Sequence, residues 1–317
     1  MFANLSRKSA FSLSLCLSLC LGGGVLAQEA PAPKAAAPDR VPLHWGQFLS
    51  NDALGDGHDR WRTGSYAFSI LRGERGQALP AKPGALLEFR LHGEAIAPAD
   101  LTVIDPTDRR YAGILALGVH THFQKAGFES SLGVEVVTFG PETGVGALQA
   151  RTHDWLGLPE IVVQDDQIAD GARLAVEAEL ARPMVLSPAV QLRPFVEARA
   201  GDETYLRLGG DLTLGRALGQ TIMARDGVTG QRYALLADDA ASGPALVLGG
   251  DLARVFDSVY LPPGGVEAEP LRRRLRGGLH WHAARSDLFM GLTWLGPEFK
   301  GQPEGQLLGS LALRLTY

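Results

Sequence analysis

The sequence is short of cysteine and of long apolar runs, and each shortage excludes a class of protein. Its two cysteines, Cys16 and Cys20, lie in an N-terminal segment that we predict to be removed, so the mature chain can form no disulfide. Beyond that segment, no apolar run approaches the roughly 18 residues that indicate a transmembrane helix. A disulfide scaffold and a helical membrane protein are therefore both excluded.

Basic residues are also in the minority. The whole chain has 30 Lys and Arg against 35 Asp and Glu, and removal of Arg7 and Lys8 with the N-terminal segment gives a net charge of −7. This balance argues against nucleic acid as a partner. Most of the basic residues are arginines, whose planar fork suits phosphate and carboxylate. A GC-rich genome would produce the same bias, so both explanations stay open.

The N-terminal segment, residues 1–27, has the pattern of a secretory signal peptide. Arg7 and Lys8 precede an apolar run from Phe11, and small residues end at Ala27. A membrane anchor is the alternative, but the run is short and interrupted by glycine. Residues 28–43 then form a Pro/Ala-rich tether without periodicity. Residues 44–317 keep one character throughout, so we expect a single domain there.

What the chain has in quantity is alternation of apolar and polar residues over segments of about ten residues. Soluble β-sandwiches usually have strands of about five or six residues, whereas alternating segments of about ten residues are typical of transmembrane β-barrels. The clearest examples are GILALGVHTHF, GARLAVEAELA, YLRLGGDLTLG, LRGGLHWHAA and LLGSLALRLTY. We therefore predict an all-β fold, a transmembrane antiparallel β-barrel of about 12 strands.

The last segment gives the prediction its detail. Leu311, Leu313 and Leu315 alternate with polar or small residues, so we expect these leucines to face lipid. The segment ends on Tyr317, and an aromatic residue is usual at the end of the terminal strand of an outer-membrane barrel. Tryptophans are expected in aromatic girdles at the membrane interfaces, and the candidates are Trp45, Trp61, Trp281 and Trp294.

Polar stretches interrupt the strand rhythm in three places. The first is FLSNDALGDGHDRWRTG, at residues 48–64, and the second is IDPTDRRYAG, at residues 104–113. The third runs for some thirty residues, and within it GALQARTHDWLG repeats apolar residues at helical spacing. We predict a short helix there, across the lumen or at the active-site rim. It carries His153, although a lone histidine is more often structural.

Taken in order, these stretches and the C-terminal EFKGQPEGQLLGSLALRLTY resemble the lipid A 3'-O-deacylase (LpxR) family of outer-membrane barrels. The resemblance runs from about Phe48 to the end of the chain. It implies a twelve-stranded barrel that hydrolyses an acyloxyacyl ester chain of lipid A and requires calcium. It also implies an outer-membrane location, lipid A or lipopolysaccharide as substrate, and contact with outer-membrane lipids. We expect a monomer.

The resemblance also implies roles for particular residues. His153 matches the general base that activates water, and Thr63 matches a hydroxyl residue of the site. Asn51 and Asp52 match a pair that holds the metal or orients the histidine. Ester hydrolysis needs such a base and a positive centre for the oxyanion, and calcium prefers oxygen ligands. We predict Asp52 and Glu160 as metal ligands.

Two features qualify this assignment. Where the family usually has an acidic residue, six positions after the histidine, this chain has Pro159; we expect Glu160 to substitute for it. The histidine is followed by Asp154 in place of the family's arginine. Arg109 or Arg110, in the second polar stretch, is expected to bind a lipid A phosphate in bidentate fashion.

Three alternatives remain at this stage. An outer-membrane phospholipase A would use the same chemistry on glycerophospholipid esters. A non-catalytic outer-membrane barrel, either a narrow pore or a scaffold, would scatter Asn51, Asp52, Thr63 and His153 around the wall, whereas an enzyme would bring them together near one rim. A soluble periplasmic binding sandwich would bury Leu311 and its neighbours between two sheets.

Overall fold

The computed structural model describes residues 44–73, 79–215, 221–236, 242–283 and 286–315. The predicted signal peptide 1–27 and tether 28–43 lie outside these residues, as do Tyr317 and the side chain of Leu315. Within the described ranges, no helix has both the length and the apolar character needed to cross a membrane.

The described residues form fifteen strands and one α-helix, α1, at Val145–Leu156. In chain order the strands are β1 His44–Asn51, β2 Trp61–Gly73, β3 Leu86–Ala97, β4 Ala112–Lys125, β5 Phe128–Phe139, β6 Gly171–Ala181, β7 Met184–Ser187, β8 Val190–Ala200, β9 Glu203–Leu214, β10 Ile222–Arg225, β11 Arg232–Leu236, β12 Gly243–Ser258, β13 Leu271–Ala283, β14 Ser286–Leu295 and β15 Gln306–Leu315.

Twelve of these strands close into an antiparallel barrel, as predicted. Neighbours pair in the order β1, β2, β3, β4, β5, β6, β8, β9, β12, β13, β14, β15. The barrel closes where β15 pairs with β1, with Leu311 opposite Leu49. The short β7 pairs with β8 at the edge, and β10 and β11 form a separate hairpin. A two-sheet sandwich is therefore excluded.

The alternation along the strands separates an apolar outer wall from a polar lumen. On β4, Leu117 and Val119 are 61% and 43% exposed, whereas His120 and His122 are buried. On β15, Leu311 lies on the outer side and Ser310 is buried. Charged side chains on the lumen side are neutralised by ion pairs across the barrel. The expected directions of the side chains are confirmed.

The hairpin of β10 and β11 lies inside the lumen, which was not predicted. Tyr233 of β11 packs on Phe48 of β1, with ring centroids 5.3 Å apart. Arg225 of β10 reaches other strands of the wall, where it pairs with Glu179 at 2.5 Å and with Asp211 at 2.8 Å. Because the hairpin contacts several sides of the wall, it fills much of the interior.

The rim that carries α1 is called the upper rim here. It holds the connections 52–60, 98–111 and 140–170. At the lower rim, β4 and β5 are joined by residues 126–127 alone, and the long connection from β9 to β12 carries the β10–β11 hairpin. The predicted helix is confirmed. It rests against the upper end of β4, where a Cβ added to Gly113 would lie 3.0 Å from Val145.

The tryptophans divide into two groups. Trp61 is 1% exposed and packs against Leu261, so its assignment to an aromatic girdle is wrong. Residues of the upper-rim loops enclose the indole ring of Trp61, which we had expected at the lipid surface. Trp281 and Trp294 lie on the outer wall and are 54% and 37% exposed, as girdle residues would be.

Candidate active site at the upper rim

The loop between β1 and β2 folds around the carboxylate of Asp52. Asn51 ends β1 and caps a short 3-10 helix at Asp52–Leu54, where its Oδ1 accepts a hydrogen bond of 2.8 Å from the backbone N–H of Ala53. Asp52 is 1% exposed, and its Oδ2 accepts from the backbone N–H of Arg60 at 2.7 Å. Asp52 therefore ties the start of the loop to its end.

Gln306, on β15, holds the same loop from the other side of the barrel seam. Its Nε2 donates to the carbonyl of Arg60 at 2.6 Å and to Asp52 Oδ2 at 3.3 Å. Its Oε1 accepts from the backbone N–H of Arg62 at 3.1 Å. Gln306 could not be selected from the sequence, because its partners are about 250 positions away and meet it only when β15 closes on β1.

His153 lies in the last turn of α1, and both of its ring nitrogens face acceptors. Nε2 is 2.7 Å from Asp59 Oδ2, and Nδ1 is 2.8 Å from the carbonyl oxygen of Pro159. The helix ends at Gly157, whose φ of 65° lies in the left-handed region that favours glycine. This turn brings the Pro159 carbonyl back to the ring, so the ring is fixed from two sides.

Asp59 connects the β1–β2 loop to the helix. Its Oδ1 accepts hydrogen bonds from the hydroxyl of Thr63 and from Gln149 Nε2, the latter at 3.1 Å. Gln149 lies one helical turn before His153, and its Oε1 accepts from the hydroxyl of Tyr111 at 2.8 Å. Asp59 was part of the predicted polar stretch but was not singled out. Gln149 was missed as well, although its position four residues before the histidine places both on one face of the helix.

Thr63 reaches Asp59 because β2 begins irregularly. The register against β3 shifts between Arg62 and Gly64, which makes Thr63 the extra residue of a β-bulge. Just before it, Trp61 has a φ of 51°, an unusual conformation for a bulky residue. Bulges commonly redirect a side chain next to an active site, and here the redirected group is the hydroxyl of Thr63.

The pKa values of Asp52 and His153 are both raised, but by different causes. Burial raises the pKa of Asp52 well above its usual value, and the nearby charges of Asp59 and Asp56 raise it further. The hydrogen bond to Asp59 raises the pKa of His153, with a smaller contribution from the Pro159 carbonyl, although partial burial opposes both. Both ring nitrogens of His153 face acceptors, the Pro159 carbonyl and the Asp59 carboxylate, and this arrangement favours the protonated imidazole.

The two arginines predicted to clamp a phosphate lie in different environments. Arg109 is buried, and its Nη1 donates to Glu298 Oε2 at 2.6 Å. Glu298 also accepts from Arg62 Nε at 3.0 Å. The side chain of Arg110 is 54% exposed and lies 3.5 Å from Asp166. Of the pair, Arg110 is the residue whose guanidinium is accessible to a ligand.

The predicted calcium ligands, Asp52 and Glu160, stay a prediction. Glu160 is exposed, beyond the Pro159 carbonyl that His153 contacts. No group of three or more His, Cys, Asp or Glu residues in the described ranges could hold a metal ion. Asp52 and Asp59 are nevertheless near enough for one charge to raise the pKa of the other. With the Thr63 hydroxyl they offer oxygen donors alone, which fit calcium in type and leave several positions to water and ligand.

The predicted residues therefore converge at one rim. His153 and Thr63 meet at Asp59, and Asp52 closes the loop that carries Asp59. Asn51 is used as a cap at the start of the same loop. A histidine held between a carboxylate and a carbonyl, at a rim open to solvent, can exchange protons with water at the end of a lipid-facing wall.

Comparisons with known proteins agree with this architecture. A model of the family described as "Outer membrane protein LpxR" matches residues 13–317. LpxR from Salmonella typhimurium has a similar structure, with a TM-score of 0.72 and 17% identity, covering 86% of this chain and 99% of that one. The β-domain of the Bordetella autotransporter BrkA gives a TM-score of 0.41 at 10% identity, with 87% of this chain and 99% of that one covered. No curated protein sequence matches.

The family match covers nearly the whole chain, and the similarity to Salmonella LpxR extends over the full barrel. The closed barrel and its apolar outer wall are what an outer-membrane location requires. The chain belongs to the LpxR family of outer membrane proteins.

Proposed function

We propose that this protein is a carboxylic ester hydrolase that removes a 3'-O-linked acyloxyacyl chain from lipid A in the outer membrane. The supporting observation is the contact of His153 with Asp59, with the Thr63 hydroxyl on the other oxygen of the same carboxylate. A histidine so placed can activate water. The connection 140–170 at the upper rim, which carries α1, is a long loop of the kind found on the extracellular side of such barrels, where lipid A is found.

The reaction needs His153 in its neutral form. With its proton on Nδ1, donated to the Pro159 carbonyl, the lone pair of Nε2 is free to accept a proton from water once the Asp59 carboxylate turns away from it. The water oxygen then bonds to the ester carbonyl carbon as its proton passes to Nε2. Collapse of the tetrahedral intermediate breaks the carbon–oxygen bond to the sugar, and the imidazolium returns the proton to the leaving alkoxide.

Calcium is the cofactor that we propose for this site. Asp52 and Asp59 would hold it, and Glu160 would join them only if the segment after Pro159 moved toward the loop. When bound, calcium would supply positive charge for the oxyanion of the tetrahedral intermediate. Asp59 would then have two functions. In the resting state its carboxylate holds the His153 ring, and when water enters the site the same carboxylate would bind the cation.

The acyl chains and the phosphate of the substrate have separate candidate contacts. Leu148 and Trp155 are 64% and 63% exposed on α1 and lie seven residues apart, which places them on one stripe of the helix. Such a stripe at the membrane surface suits acyl chains. Arg110 is the exposed arginine of the neighbouring loop and is our candidate for a phosphate contact.

The test is mass spectrometry of purified lipid A incubated with the protein, with calcium and with chelator. Wild type should remove the mass of one acyloxyacyl chain, and His153→Ala should reduce the rate by about 10²- to 10⁴-fold, because a positioned base is lost. His58→Ala is the matched control, since His58 lies in the same loop, is mostly exposed and contacts Asp56 instead of Asp59. Heat-modifiable mobility checks that each barrel is folded.

The substrate is decided in a parallel reaction with glycerophospholipid vesicles. Release of fatty acid from those vesicles alone would replace lipid A deacylation with outer-membrane phospholipase A activity. If neither substrate were changed by wild type with calcium, the chain would be a non-catalytic member of the family.

A further inference from the structure

Two arginines interrupt the apolar outer wall near the upper rim. Arg254 on β12 and Arg273 on β13 are both exposed and alternate with outward-facing leucines and a phenylalanine. Around them, Leu252, Leu275 and Phe256 are 51%, 62% and 65% exposed. A charged side chain on the lipid-facing surface is unfavourable, most strongly at the centre of the bilayer. We therefore expect an anionic group to neutralise this pair.

The two arginines are close neighbours on one face. Leu252 is opposite Arg273, and Arg254 is opposite Leu271, so the arginines are diagonal neighbours on adjacent strands. The Cα atoms of such a pair are about 7–8 Å apart, within reach of long side chains. Both guanidinium groups can therefore contact a single anion that lies against the wall.

No acidic side chain of the described residues neutralises the pair. Neither guanidinium lies within 4.0 Å of a described carboxylate, although Asp257 follows Arg254 on the same strand. This contrasts with the arginines inside the barrel, such as Arg276, which is paired with Asp211 at 2.6 Å. The outer pair keeps its charge available to a ligand from outside the protein.

The two arginines lie at the level of the barrel wall where lipid headgroups are expected. The carbonyl of Arg273 accepts a hydrogen bond of 2.9 Å from the backbone N–H of Gly296, the first residue after β14. Arg273 is therefore level with the end of the neighbouring strand, and the exposed ring of Trp294 lies on that strand just before its end. Lipid-facing arginine is least costly near such an interface, where anionic headgroups lie.

We propose that Arg254 and Arg273 form a binding site for the phosphate group of a phosphorylated lipid of the lipid A type in the surrounding leaflet. The exposed apolar side chains below the pair would pack against its acyl chains, which free phosphate lacks. In the barrel order, β13 is three strands from β1, so this site is separate from the one around His153 and goes beyond the proposed hydrolysis. It would hold the barrel at a fixed depth and orientation among its substrate lipids.

Native mass spectrometry of the full protein in detergent tests the proposal. The probe is a bisphosphorylated, tetra-acylated lipid A precursor, incubated with chelator so that its 3'-O-linked ester is not hydrolysed during the measurement. Its dephosphorylated form and inorganic phosphate are the comparison ligands. The variants are Arg254→Gln with Arg273→Gln, and, as a matched control, Arg72→Gln, which removes an exposed arginine at the lower end of β2.

We expect the double variant to bind the phosphorylated probe about tenfold or more weakly than wild type, and Arg72→Gln to bind it normally. The double variant should still fold and should hydrolyse detergent-dispersed substrate at the rate of wild type. Equal binding of the probe by wild type and double variant would overturn the proposal. So would equal binding of the dephosphorylated lipid by wild type, or displacement of the probe by inorganic phosphate at comparable concentration.

Discussion

The contact between His153 and Asp59 makes the pH dependence of the proposed hydrolysis predictable. The hydrogen bond to Asp59 raises the pKa of His153 above its usual value of 6.5, and the base must be neutral to accept a proton. The rate should therefore rise with pH through this raised pKa. In Asp59→Asn the pKa of His153 should fall, because an amide has no negative charge to stabilise the imidazolium. The acidic limb of the pH–rate profile should move to lower pH.

The size of the effect on the rate follows from the contact. A hydrogen bond to a charged group contributes about 1.5–3 kcal/mol, which corresponds to about 10- to 150-fold in rate if the bond orients the base. The His153 side chain is 7% exposed but Asp59 is 34% exposed, and solvent screening weakens the pair. We therefore expect Asp59→Asn, measured at saturating calcium, to lose at least about tenfold at the plateau of the profile, because it also removes a carboxylate that we propose to hold the cation.

The same pair should affect stability in the opposite sense. Because the folded pKa of His153 is raised, the pair stabilises the barrel fully below pH 6.5, and this contribution disappears as pH rises through the raised value. Asp154→Asn is the control, since Asp154 contributes the smallest of the causes that raise this pKa. An acidic limb that stays in place in Asp59→Asn, or that moves as far in Asp154→Asn, would refute the assignment of His153 as the base.

Three further predictions concern other parts of the protein. Thr63→Ser should keep activity and Thr63→Val should lose most of it, because only serine preserves a hydroxyl donor to Asp59; lipid A mass spectra would check this. Glu298→Gln should destabilise the barrel by about 3–5 kcal/mol, because Arg109 and Arg62 would lose a shared buried partner, and unchanged urea unfolding would contradict this. Wild type should not conduct ions in planar bilayers, because the β10–β11 hairpin fills the lumen, and steady channel currents would show that the hairpin does not close it.

The barrel could be predicted from the sequence because its alternation is local. Each strand shows one face to lipid and one to the lumen, and the two environments require different side chains at successive positions. This was enough for the strand directions, whereas helical spacing predicted α1 and the resemblance to the LpxR family implied that Asp52, Thr63 and His153 lie together. The partner of His153 was out of reach, because Asp59 is one of several acids in its loop and only the fold shows which one faces the helix.

The contents of the lumen could not be predicted from the sequence, for a different reason. The hairpin of β10 and β11 has the composition of a short barrel strand pair, and its inward position depends on partners such as Phe48 and Asp211 that lie far away in the sequence. Arg109 looked like an exposed residue at the start of a strand, but the 2.6 Å pair with Glu298 places it inside. In both cases, long-range pairing of charges and rings determined the location.

Histidine–carboxylate pairs alone do not identify the site, because the barrel interior contains others. His120 pairs with Glu135 at 3.0 Å and His122 with Glu88 at 2.7 Å, but no side chain of these four is more than 7% exposed. Such pairs can stabilise a polar lumen, yet a lipid ester from outside cannot reach them readily. The pair at the upper rim combines a buried imidazole with a carboxylate that is 34% exposed. A base must be held by the protein and also meet its substrate, and in this barrel that condition is met where α1 lies against the end of the wall.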